Sequence, residues 1–184
     1  RIKYLEEFPF RKRQHMSILT QTEILKEIRK NRIKVEPFEL SSVGPASIDL
    51  KLDSQLRIFN SKKKFFAVHE DTDYKKITKV IDIHKGYILK TGELVFGITK
   101  EKITLPENIC GWLNSRSRFA RLGLMSHITA PFICTGVSNH QVLEIYNAGP
   151  KNLKILPGIR ICQLVFQTCK GKARYKGVFR DQKL

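Results

Sequence analysis

Apolar positions along the chain recur with two different periods. In "MSILTQTEILKEIRKNRIKVEPF", Ile24, Leu25 and Ile28 share one face at helical spacing until "RKNR" ends the pattern. Thr20 and Glu23 have capping-box spacing, so one short amphipathic helix is expected here. The period then changes. "ASIDLKL" alternates apolar Ala46, Ile48, Leu50 and Leu52 with polar Ser47, Asp49 and Lys51, as a strand with one buried face does. "GYILKTGELVFGITKEKITLPENICGWL" reads as two or three short strands broken at Thr91-Gly92 and Leu105-Pro106. "NLKILPGIRICQLVF" repeats the plan: a strand, a Pro157-Gly158 turn, then a strand whose Arg160, Cys162, Leu164 and Phe166 face opposite to Ile159, Ile161, Gln163 and Val165. Between them, "SKKKFFAVHEDTDYKK" is a charged connection, read as a loop or a solvent-facing hairpin. Short strands with frequent turn signals predict a mainly β fold, a barrel or jelly roll with one N-terminal helix. Residues 1–15 stand outside the pattern as a basic N-terminal extension, and residues 16–184 are expected to form one domain.

Composition adds limits. At 184 residues the chain is long enough to bury a core without staples, and its 41% hydrophobic and 28% charged shares suit an ordinary globular domain. No apolar run approaches the ~20 residues that span a bilayer, so no membrane helix is expected. "RIKYLEEFPFRKRQH" lacks the apolar core and cleavage site of a secretory signal, which makes a cytoplasmic location the expectation. Cys110, Cys134, Cys162 and Cys169 form no C-x-x-C pair and read as reduced packing residues. Thirty-four basic against 17 acidic residues give +17, a surface that attracts polyanions such as nucleic acid or nucleotide phosphates. A solvated lysine-rich surface explains the same excess.

Several chemistries fail on spacing. The chain has no G-x-x-x-x-G-K-[ST] loop, no G-x-G-x-x-G and no G-x-S-x-G elbow. The H-x-E and P-C-x-x-C halves of the zinc deaminases are both missing, and none of His15, His69, His84, His127 and His140 pairs with a cysteine at ligand spacing. No protein-bound metal is expected.

One constellation stands out. In "SRSRFARLG", Arg116, Arg118 and Arg121 alternate with Ser115 and Ser117, donors suited to phosphate oxygens. A basic surface turn ahead of a strand fits the same residues. In "QVLEIYN", Glu144 shares a strand face with Val142 and Tyr146, so its carboxylate either pairs with a cation such as Arg121 or Arg160 or has a raised pKa. Salt bridge and catalytic acid–base remain open on spacing alone.

"GPASIDLKL", "SRSRFARLGL", "HITA", "VLEIYN", "ILPGIRICQLVF" and "ARYKGVFRDQ" together resemble the dCTP deaminase family of the dUTPase-like superfamily, from about Met16 to Gln182. The resemblance implies a distorted β jelly roll that assembles as a homotrimer with active sites at subunit interfaces. It also implies zinc-independent hydrolytic deamination of dCTP to dUTP and ammonia, with Mg2+ bound through the triphosphate, feeding dUMP and thymidylate synthesis. Carried over, Glu144 matches the catalytic glutamate, Ser117 and Arg121 the essential serine and arginine, and Ala130 a backbone carbonyl that holds the water. Arg116, Ser117, Arg118, Phe119, Ala120 and Arg121 match the phosphate- and base-binding stretch, Val142 and Leu143 pyrimidine contacts, and Gln163 a further nucleotide contact. Tyr175 and Gln182 match a C-terminal lid over the phosphates, about residues 172–184. Feedback inhibition by dTTP is left open; a nucleic-acid partner is not expected.

Two departures matter. Relatives commonly carry an aspartate in an I-D-P-G segment where this chain reads Ile133-Cys134-Thr135-Gly136, so Cys134 contacts a nucleotide only through apolar or backbone atoms. That disfavours a dUTP diphosphatase or bifunctional reading. Val178 stands where relatives often have lysine, with Lys176 and Arg180 as substitute phosphate ligands. A non-catalytic nucleotide or nucleic-acid-binding module is the alternative from another class.

Overall fold

The computed structural model describes residues 17–61 and 64–184; the extension expected at residues 1–15 lies outside the described residues. Helix α1 (Gln21–Arg29) forms where the helical period placed it, with Ile24 fully buried. The capping box does not form. Thr20 is the N-cap with extended backbone, but its side chain makes no cap hydrogen bond, and Glu23 instead pairs with Lys26 at 3.2 Å. A lysine one turn along the exposed face offers the carboxylate a nearer partner.

The strands follow as β1 (Lys34–Glu36), β2 (Ile48–Phe59), β3 (Thr78–Asp82), β4 (Tyr87–Leu89), β5 (Leu94–Thr104) and β6 (Ile109–Ser115). After a four-residue helical turn, α2 (Ser117–Ala120), come β7 (Leu124–Met125), β8 (Phe132–Ile133), β9 (Ser138–Asn147), β10 (Leu153–Ile155) and β11 (Arg160–Thr168). Among the described residues nine strands make one antiparallel sheet, β7-β9-β5-β2-β11-β6-β8, with β1 added to β5 and β3 to β2. The expected mainly β fold is present. β4 and β10 pair apart from it, so the strands on either side of Pro157-Gly158 do not pair with each other.

Strand β2 belongs to both halves of the sheet. Its first residues pair with β11 (Asp49 opposite Gln163) and its last with β3 and β5 (Ile58 opposite Lys79 and Val95). Register shifts at Leu52–Leu56 against β5 and at Arg160–Cys162 in β11 let the sheet bend there, as strands do when they switch sheets. The alternation in "ASIDLKL" places Ile48, Leu50 and Leu52 in the core at 0% exposure. Leu143 and Ile145 of β9 and Leu164 and Phe166 of β11 join them. The shift also alters β11, where adjacent Ile161 and Cys162 are both buried in place of strict alternation.

The charged connection forms no strand among its described residues. Its described part, from Lys64, ends in a 3-10 turn over Tyr74–Ile77, where the Asp73 carboxylate accepts the Lys75 N–H at 2.9 Å. Tyr74 then meets Phe96 of β5 edge to face, with ring centroids 5.7 Å apart.

β2, β5 and β9 pack closely at Gly97, where a Cβ would lie 2.6 Å from Ile145 Cδ1 and 2.8 Å from Leu52 Cδ1. Gly97→Val is expected to destabilise the fold by about 1–3 kcal/mol through overpacking. A urea unfolding midpoint shifted by that amount, with an unchanged slope, is the check.

Candidate active site

Alternation along β9 sorts its side chains. Asn139, Gln141, Leu143, Ile145 and Asn147 are buried on one face, while His140, Val142, Glu144 and Tyr146 are half-buried on the other. Glu144 stands directly across from Phe96 of β5. Its carboxylate faces a loop that returns from β7. Oε2 accepts the N–H of Ile128 at 2.9 Å and of Thr129 at 2.5 Å, and Oε1 accepts the Thr129 hydroxyl at 2.7 Å. Burial, the largest influence, pushes the Glu144 pKa up. The donors from Thr129, Ile128 and the Ala130 N–H together outweigh it and hold the group below the usual carboxylate value.

Both expectations for this carboxylate therefore need correction. No salt bridge to Arg121 or Arg160 forms: Arg160 Nη2 lies 3.4 Å from Glu39 and donates to the Ser41 hydroxyl at 2.6 Å. The pKa is lowered rather than raised, because backbone N–H groups satisfy a half-buried carboxylate as well as a cation does. Beside it, burial lowers the His127 pKa against the opposing pull of Glu144, and the ring's Nδ1 is buried with no hydrogen-bond partner.

Glu144, Ala130, Cys134, Val142, Tyr175 and Gln182 line one cavity of about 370 Å³. Tyr74, Phe96 and Phe132 give it aromatic walls, and Asn139 and Gln141 add amides. Glu144 is the sole carboxylate among the described residues lining it. The C-terminal segment lies along the cavity. Thr135 Oγ1 donates to the Ala173 carbonyl at 2.6 Å, the Tyr175 N–H to the Thr135 carbonyl at 3.0 Å, and Gln182 Nε2 to the His140 carbonyl at 2.9 Å.

The other predicted residues lie elsewhere. Ser117, Arg118, Ala120 and Arg121 are exposed on or just after α2 and do not line the cavity. Arg116 is tied down: Nη2 pairs with Asp49 at 3.0 Å and Nη1 donates to the Arg160 carbonyl at 2.8 Å. Burial raises the Asp49 pKa, opposed by Arg116, Arg160 and Arg118. Gln163, opposite Asp49, accepts the Ser47 hydroxyl at 3.3 Å outside the cavity. Phe119 packs against the core. Leu143 is fully buried on the far face from Glu144, so its side chain cannot touch a base as expected. Lys176 is exposed away from the lining, and Arg180 pairs with Asp181 at 3.2 Å. Sequence reasoning missed Thr129, Asn139, Gln141, Phe96 and Tyr74. For Thr129 the signal was at hand, a hydroxyl next to Ala130 in "HITA".

The protein is thus an antiparallel β protein whose aromatic-walled cavity carries one carboxylate among the described residues lining it. Residues 18–169 match the family model described as dCTP deaminase-like, and the chain belongs to that family. Relatives include proteins named "dCTP deaminase, dUMP-forming". That of Pseudarthrobacter chlorophenolicus is 34% identical over 160 residues, 86% of this chain and 83% of that protein. That of Kocuria rhizophila is 33% identical over 151 residues, 81% and 78% respectively. The fold is also that of the crystallised 2'-deoxycytidine 5'-triphosphate deaminase of Agrobacterium tumefaciens, at a TM-score of 0.66 and 23% identity. The likeness covers 83% of this chain but 48% of that one, so this chain spans about half its length.

Thr129→Val keeps the shape but removes the hydroxyl donor to Glu144. The Glu144 pKa is expected to rise toward the ordinary value near 4.3, as a carboxyl carbon NMR titration reads. Because the folded pKa is depressed, the stabilisation is full above the ordinary value and fades as pH falls through the folded one. The variant's deficit of about 1 kcal/mol at neutral pH, small for a partly exposed group, shrinks in the same direction.

Proposed function

We propose that the chain hydrolytically deaminates dCTP, with Glu144 as its acid–base group. The observation that carries this reading is the position of Glu144 as the sole carboxylate among the described residues lining the cavity, held ionised by the loop at residues 128–130. The family and its named relatives support it. Water adds to the ring carbon bearing the amine while Glu144 takes the water's proton. The same carboxyl passes it to the ring nitrogen and then carries the hydroxyl proton to the departing amine, which leaves as ammonia. In the free chain Glu144 is a weak base. A pyrimidine filling the cavity displaces water, strengthens the influence of burial and raises its pKa toward the working range.

Of the predicted residues, Glu144, Ala130 and Cys134 lie on the cavity while Ser117 and Arg121 lie on or just after α2. A homotrimer with interface sites accounts for this: a second copy would present Ser117 and Arg121 to Glu144 and add their donors to the single lysine, Lys183, among the described residues lining the cavity. The triphosphate brings Mg2+ as part of the substrate. Zinc has no role in the proposed steps.

The end product is the finer question. The expectation from sequence is dUTP, whereas the relatives' name gives dUMP, which favours a second reading in which pyrophosphate is cleaved as well. Cys134 lines the cavity without a carboxylate to activate a second water, which supports deamination alone. Incubation with dCTP and magnesium decides: dUTP and ammonia fit deamination alone, and dUMP with pyrophosphate fits the second reading.

Glu144→Gln is expected to lower ammonia release at least about 100-fold while the protein still folds. Near-normal activity would sink the assignment. Mixing Glu144→Gln with inactive Ser117→Ala chains, after subunit exchange, is expected to restore about one quarter of wild-type activity if each site draws on two copies. No recovery would mean that one chain supplies both.

A further inference from the structure

Asn139 opens the buried face of β9 and is 7% exposed, yet its partners lie forty residues away in the C-terminal segment. Nδ2 donates to the Phe179 carbonyl at 3.0 Å and to the Arg180 carbonyl at 3.1 Å. Oδ1 accepts Gln141 Nε2 at 2.6 Å, so one amide is used at both ends. Gln141, 5% exposed, is itself fixed: its N–H donates to Thr99 Oγ1 at 2.9 Å, and that hydroxyl donates to the Glu101 carbonyl at 2.8 Å. This chain of bonds runs from the register irregularity between β5 and β9 out to the segment beside the cavity.

Nearer the sheet the segment is anchored by the Ala173 N–H to the Glu107 carbonyl at 2.9 Å and by the Arg174–Glu107 pair at 3.1 Å. Beyond Tyr175 its main anchors to the body are Asn139 and the Gln182 contact to the His140 carbonyl. Val178 is 91% exposed, so apolar burial contributes little there. Phe179, Gln182 and Lys183 nevertheless line the cavity. A segment held by a few polar contacts opens at small cost, and water entering through the cavity would satisfy the amide once it lifts.

We propose that Asn139, braced by Gln141, is a latch that holds residues 177–182 down beside the cavity and positions them over the nucleotide. This rests on the dCTP reading for the ligand's identity. The latch itself does not. It makes Asn139 a positioning residue that acts through the C-terminal backbone.

Two variants test it. Asn139→Leu removes the donors, and Asn139→Asp keeps the shape while turning an oxygen toward two carbonyls. Hydrogen exchange on the nucleotide-free full chain is expected to show residues 177–182 exchanging at least about ten-fold faster in both, with the Ala173 and Tyr175 amides unchanged. Turnover of dCTP is expected to show KM raised about ten-fold, with kcat falling by less. Unchanged exchange in both variants overturns the latch. Faster exchange with wild-type KM overturns its positioning role. The exchange measurement needs no nucleotide, so an absence of dCTP turnover in the wild type defeats the functional reading alone.

Discussion

The register of β9 against β5 decides which chemistry this protein presents. With Phe96 opposite Glu144 and Gly97 opposite Leu143, Val142 and Glu144 reach the cavity while Leu143 and Ile145 enter the core; the cavity's Asn139 and Gln141 lie beyond the register irregularity. A slip of one residue would drive the Glu144 carboxylate into the core beside Leu52 and Leu56 and turn Leu143 and Ile145 out of it. Several features hold the register. Gly97 lets the three strands approach, buried Leu143 and Ile145 favour one face, and the Thr99 hydroxyl fixes the irregularity that follows.

What was legible in the sequence tracks what period-two alternation encodes. The burial of Ile48, Leu50 and Leu52, the shared face of Val142, Glu144 and Tyr146, and the helix at Gln21–Arg29 all follow from side-chain spacing. The carboxylate's environment followed only in part: the Thr129 hydroxyl was readable in "HITA", but its other partners are main-chain N–H groups of residues 128–130, which no side-chain pattern announces. Leu143 was assigned a pyrimidine contact by resemblance to the family, and its side chain is instead buried in the core on the face that alternation gives it. The separation of α2 from the cavity was equally invisible, since it depends on where β6 ends in the folded sheet.

The cationic stretch divides its labour. Arg116 faces Asp49 and the Arg160 carbonyl, fastening the end of β6 to β2 and β11, and so fixes the direction in which α2 leaves the sheet. Arg118 and Arg121 stay at the surface. Arginines within a few residues thus differ in their surroundings: Arg116 is spent on the fold, while Arg118 and Arg121 are left exposed. The +17 net charge adds a general attraction for polyanions that no single turn accounts for.

The bent strand β2 has a consequence for the order in which the protein can be made. Its first half waits for β11, more than a hundred residues later, and β11 also supplies the long partner of β6. A ribosome must therefore release most of the domain before the sheet closes. Until then Leu50, Leu52 and the open edge of β6 stay uncovered. Long-range antiparallel pairing folds slowly, and such exposed edges seek other strands. The joint that bends the sheet around its core thus leaves a half-synthesised chain with uncovered apolar faces and strand edges until residues 160–168 have emerged.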